Sequence, residues 1–180
     1  MNNDAATQVN RDNYSADELI EIFGLEPLPV DGGYFSRTHR CDDVIAAGGL
    51  PERYGRDKAL GSCIFYLLKD YEFSEFHCLS SDEIYHFYCG DPVELLEINE
   101  SGELSTTILG RDLRAGHKFQ HVVKRGTWQA SFIRPGGKVA LLGCTMSPAF
   151  DTQDYEKGHW EKLLRKFPRH HLLIMKYTRK

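Results

Sequence analysis

Between residues 61 and 146, apolar and polar positions alternate with a period of two, the pattern of half-buried strands. Eight segments carry it: 62–69, 73–79, 83–89, 93–98, 104–109, 118–123, 127–133 and 138–146. Turn chemistry separates them, including Ser80-Ser81-Asp82, Gly90-Asp91-Pro92 and Pro135-Gly136-Gly137. Asn99-Glu100-Ser101-Gly102 between two apolar runs predicts a hairpin loop. Tyr34-Phe35-Ser36-Arg37-Thr38 predicts one earlier strand. The charged stretch 40–60 predicts a long loop of the kind that often covers a site. Short strands with no helical segment between them exclude a βαβ fold and predict an antiparallel sandwich or barrel.

At both ends the period becomes helical. Ser15-Ala16-Asp17-Glu18 is a capping box, Leu19, Ile22 and Phe23 follow on one face, and Gly24 stops the helix. Trp160, Leu163, Leu164 and Phe167 form a second apolar face, ended by Pro168, and residues 172–175 a further short helix. Residues 1–14 lack periodicity and predict a disordered tail. The expected organisation is that tail followed by one all-β domain over 15–180. Its barrel spans about 33–146, with short helices at the N- and C-termini and a C-terminal helical segment over about 155–178.

Composition narrows the class. A chain of 180 residues that is 41% hydrophobic can bury a core without disulfides or a structural metal. Its five cysteines form no CxxC pair, which predicts a reducing compartment. No run of 18 apolar residues and no apolar leader occur, so a cytoplasmic location with no membrane partner is expected. The net charge of −4 is uneven: residues 157–180 carry eight Lys/Arg and one Asp/Glu, a net of +7, which leaves −11 on the body. No nucleic-acid motif accompanies this basic end, so it predicts a solvated helical tail on an acidic body and no nucleic-acid partner.

Chemistry concentrates at residues 75–92. One strand carries His77, a tight turn follows, and the next strand carries Glu83, Tyr85 and His86. Strand parity puts Glu83, Tyr85 and Phe87 on one face and His86 and Tyr88 on the other. By the same rule His77 shares a face with Glu75 and Leu79, and Gln129 with Thr127 and Ser131.

These residues resemble the cupin motifs. His77, Glu83 and Gly90 stand at the first His, the Glu and the closing Gly of the first motif, and Leu79 at its second His. Lys124-Arg125-Gly126-Thr127-Trp128-Gln129 matches the second motif at the Gly, with Gln129 in place of its His. A more specific likeness is carried by Asp31-Gly32-Gly33-Tyr34-Phe35, the block from Asp82 to Pro92, Trp128-Gln129-Ala130 and Gly143-Cys144-Thr145. They are similar to the small single-domain cupins of the cupin_5 family, a domain of unknown function, over about residues 16–178. Arg125-Gly126-Thr127 departs from that pattern. The resemblance implies a jelly-roll barrel, usually dimeric and comparable with the RmlC-type sugar-nucleotide epimerases.

The expected function is therefore a small-molecule-binding cupin, with a polar, sugar-like or carbonyl-containing ligand in the barrel mouth. One form is a metal-free isomerase or epimerase in which His77, oriented by Glu83, removes a proton alpha to a carbonyl and Tyr85 protonates the opposite face. Gln129, Arg37 and His86 are the expected ligand-binding residues. The alternatives are a binder without turnover and a metal-dependent enzyme; His77 alone fits a ligand, a base or a core histidine. A metal would have only His77, Glu83 and Gln129 as donors, so no metal cofactor is expected, a divalent ion being the exception. His117 and His121 are expected at the surface. A homodimer is expected through an outward aromatic patch of Trp128, His86 and Tyr88.

Overall fold

The structure is a computed structural model that describes residues 14–30 and 32–179. The tail expected over 1–14 lies, Tyr14 apart, outside the described residues. Thirteen strands are named in chain order: β1 (Glu26–Pro27), β2 (Tyr34–Arg40), β3 (Val44–Ile45), β4 (Lys58–Ala59), β5 (Ser62–Lys69), β6 (Phe73–Leu79), β7 (Glu83–Gly90), β8 (Val93–Ile98), β9 (Leu104–Leu109), β10 (Gln120–Val123), β11 (Trp128–Ile133), β12 (Val139–Met146) and β13 (Tyr155–Lys157). The helices are α1 (Ala16–Phe23), α2 (Trp160–Lys166) and α3 (His171–Lys176).

Two sheets form an antiparallel jelly roll. The first has the order β1-β2-β5-β12-β7-β10 and the second β13-β6-β11-β8-β9. The eight strands expected between residues 61 and 146 match β5 to β12, with ends shifted by two residues or fewer. Tyr66, Leu68, Phe87, Leu95 and Leu142 fill the space between the sheets. Sharp turning at the end of β7 requires Gly90, whose φ is 95°; a Cβ there would lie 2.2 Å from the Val139 carbonyl oxygen.

α1 begins as its sequence dictates. Glu18 donates its amide to Ser15 Oγ at 3.2 Å, and its carboxylate accepts the Ser15 amide at 2.7 Å. The helix buries Leu19 against Leu67, Val139 and Leu141 on the outer face of the first sheet. α2 and α3 cover the outer face of the second sheet, where Leu163, Phe167 and Ile174 pack on Phe76, Trp128 and Ala130.

Four expectations change. The segment starting at 155 opens as a strand, β13, which pairs with β6 and extends the second sheet. The 40–60 stretch contains β3, β4 and two 3-10 turns, and it is anchored by the buried Lys58–Asp154 ion pair, to which Arg56 adds a 2.7 Å contact. Trp128 lies beneath α2 and α3, on a different sheet from His86 and Tyr88, so those three residues do not form one patch. His121 is only partly exposed, because its ring faces inward and meets Glu97 at 2.6 Å.

Candidate functional site

The inner faces of β7 and β6 bring the acid and the imidazole together. On β7 burial alternates as parity requires: Glu83, Tyr85 and Phe87 are buried while Ile84, His86 and Tyr88 lie outward. β6 breaks parity. His77 pairs with Gln129 and Ser74 with Ser131, so Glu75 and Phe76 together oppose Ala130 in a bulge. The bulge keeps His77 and Leu79 inward and turns Glu75 away to meet Lys157 at 2.8 Å and Arg179 at 3.8 Å. Glu75 therefore does not share the face of His77, contrary to simple alternation.

Three fixed contacts define the pair. The His77 ring donates from Nδ1 to the Glu75 carbonyl at 2.8 Å, which makes Nε2 the nitrogen at which the ring gains or loses a proton. Nε2 stands 4.0 Å from Glu83 Oε2. The same carboxylate oxygen accepts from Gln129 Nε2 at 2.7 Å. Both His77 and Gln129 are almost fully buried. Among the described residues, neither the buried Gln129 Oε1 nor the buried Ser131 Oγ has a hydrogen-bond partner.

Glu83 and His77 sit in the wall of a cavity of about 280 Å³, at the low end of volumes that hold small molecules. The first sheet contributes Phe35, Arg37, Ser62, Ile64, Cys144 and Met146, and the second contributes Leu79 and Tyr155. Leu28, Pro29, Val30, Phe150 and Thr152 close the rim. The Tyr155 ring stacks on His77 with centroids 5.1 Å apart, and its hydroxyl donates to the Val30 carbonyl at 3.2 Å. Ser62 Oγ accepts the Phe150 amide at 3.0 Å, which leaves its own O–H available as a donor.

The expected residues distribute unevenly. His77, Glu83 and Arg37 line the cavity, and Gln129 reaches it through Glu83. Tyr85 shares the inner face but belongs to the packed core with Tyr66 and Phe87; it does not line the cavity, so it has no place as the opposite-face acid. His86, expected to bind ligand, stands on the outer face, with Nε2 3.0 Å from Thr145 Oγ1 and Gln120 beside Nδ1. Burial there holds its pKa below the ordinary imidazole value. The 40–60 stretch contributes no described residue to the cavity wall. Tyr155 and the 28–30 rim were missed. Pro27-Leu28-Pro29 reads in sequence only as a break, and Tyr155 reads as the lead-in to a helix. What places both is pairing and packing over more than 70 residues of chain, β13 on β6 and the Tyr155 hydroxyl on Val30.

Metal ligation is poorly supported by these donors. Among the described residues no three His, Cys, Asp or Glu side chains converge. His77 and Glu83 would have only a neutral amide as a third donor, which does not suit a transition metal.

The model of the Cupin_5 family, described as cupin superfamily (DUF985), matches residues 17–158. The chain is similar to an X-ray structure of a protein from Shewanella oneidensis, at 31% identity and a TM-score of 0.82 over 92% of this chain and 98% of that one. A hypothetical protein from Leishmania major matches at 24% identity and a TM-score of 0.85, over 93% and 100%. Oxalate decarboxylase from Bacillus subtilis shares the fold alone, at 13% identity and a TM-score of 0.51 over 86% and 37%. No curated protein matches the chain.

Proposed function

The chain belongs to the Cupin_5 family of the cupin superfamily, and from that premise we propose that it is a metal-free enzyme that moves a proton on a small carbonyl compound held between its sheets. The observation that carries this reading is the His77–Glu83 pair in the cavity wall, with each partner fixed from behind. His77 Nε2 takes a proton from the carbon alpha to the carbonyl. Glu83 stabilises the imidazolium that results. The Ser62 hydroxyl donates to the developing enolate oxygen. Returning the proton from the same imidazole to a different atom of the enolate gives isomerisation. The site offers one base and no Tyr85 behind the ligand, which favours a single-base isomerase over a two-base epimerase. We also propose that the protein works as a cytoplasmic homodimer.

The test is deuterium uptake by a methyl ketone in heavy water, followed by proton NMR. Wild type should exchange the alpha protons faster than buffer does. His77→Ala should abolish the excess rate. Glu83→Gln keeps the shape and one hydrogen bond, so it should lower turnover roughly 100-fold or more with far less effect on affinity. No excess exchange by the folded wild-type protein, with ligand still bound, would favour a binder without turnover.

A further inference from the structure

We infer that the cavity takes an amphipathic acid: a small carboxylate whose apolar chain carries a neutral carbonyl or hydroxyl at its far end. This inference rests on the proposed use of the His77–Glu83 cavity and names its ligand class.

The first observation is Arg37. It lies on β2, exposed at the cavity rim, with no hydrogen bond or ion pair among the described residues. The other arginines near this end are engaged: Arg40 with the Phe150 carbonyl, Arg53 with the Ser80 carbonyl and Arg56 with Asp154. A guanidinium left open beside an enclosed cavity presents a forked donor to a carboxylate.

The second observation is the wall. Leu28, Val30, Phe35, Ile64, Met146 and Phe150 offer the ligand no hydrogen-bonding side chain. A sugar would press several hydroxyls against this surface, and each buried without a partner costs about 1–3 kcal/mol. A hydrocarbon segment loses nothing there.

The third observation sets the direction. A ligand carboxylate at the deep end would meet Glu83, a like charge, whereas a neutral carbonyl or hydroxyl there meets His77 and Ser62. Arg37 pairs with Ile64, Ile64 with Cys144 and Cys144 with Tyr85, and Glu83 lies two residues from Tyr85 on the same strand face. Arg37 and Glu83 are therefore three strand intervals across and two residues along, about 16 Å apart at the backbone from spacings of ~4.8 Å between strands and ~3.3 Å per residue. Both residues line the same cavity, so the two ends of one short chain can meet both. The acid end sits at β2, the carbonyl end at β7.

The test is isothermal titration of wild type and Arg37→Gln with four probes: levulinate, its homologue longer by two methylenes, methyl propyl ketone and glucose. Circular dichroism checks that the variant is folded. Wild type should bind both keto acids more tightly than the ketone and should not bind glucose. In Arg37→Gln the preference for keto acid over ketone should fall at least tenfold, equivalent to about 1.4 kcal/mol. Glucose binding as tight as that of the keto acids, an unchanged preference in the variant, or no binding of either acid would overturn the ligand class. Deuterium exchange separates this from the catalytic reading. Keto-acid binding that depends on Arg37 without exchange leaves the ligand class standing and removes the proton transfer. Exchange of methyl propyl ketone without any preference for acids does the reverse.

Discussion

Glu83 is a carboxylate at the boundary between a cavity and a packed interior, and among the described residues its hydrogen-bond donor is the Gln129 amide at 2.7 Å. Replacing Gln129 by leucine removes that donor while keeping the bulk. The expected cost is about 1–3 kcal/mol, measured by urea unfolding, because a buried acceptor is then left without its partner. An unchanged unfolding midpoint would mean that Glu83 finds another donor. His86 provides a pH signature. Burial lowers its pKa, so the unfolded chain takes a proton near pH ~6.5 while the folded chain resists it. Stability from this source is present above about pH 6.5 and falls as the pH drops below it. His86→Gln should therefore flatten the decline in stability between about pH 7 and 5. At this scale the sequence was a good guide where alternation holds. The facing of Glu83, Tyr85 and Phe87 inward follows from parity. Parity does not tell a cavity wall from a core, and Tyr85 faces inward as parity requires yet packs with Tyr66 and Phe87.

Regular pairing made the elements legible. The strands from β5 to β12 are separated by turn residues that strands disfavour, and their boundaries fall within two residues of those turns. The bulge in β6 is not legible in the sequence, since neither Glu75 nor Phe76 is a glycine of the kind that marks a bulge. It depends on what each reaches: Phe76 the core under α2 and α3, and Glu75 the cations of Lys157 and Arg179. β13 was hidden for a similar reason, because a three-residue strand carries no period of its own. The C-terminal helices are short, with seven and six residues, and must take their stability from packing. Leu163 is fully buried between α2 and the second sheet. Leu163→Ala should destabilise the protein by about 2–5 kcal/mol in thermal or denaturant unfolding. A loss well below that would mean that the helices contribute little to the fold. Cys78, half-buried near the same helices, has a thiol pushed up to about 11, chiefly by burial. A thiolate is scarce there at neutral pH, which fits a packing role.

At the scale of the molecule, α1 covers one sheet face and α2 and α3 the other, and the described residues leave part of the first sheet uncovered. Tyr88, Phe119 and Val122 remain exposed there, around β7 and β10. Sedimentation should give a dimer at micromolar concentration, and Tyr88→Asp should shift it toward monomer; a wild-type monomer would rule out this face as an interface. No helix among the described residues is long and apolar enough to cross a membrane. The central claim concerns the cavity between the sheets and the direction in which a ligand lies in it. A crystal structure with levulinate bound tests it most directly. The account predicts the carboxylate on the Arg37 guanidinium and the ketone oxygen beside His77 and Ser62. Levulinate seated outside this cavity, or turned so that its carboxylate meets Glu83, would contradict it.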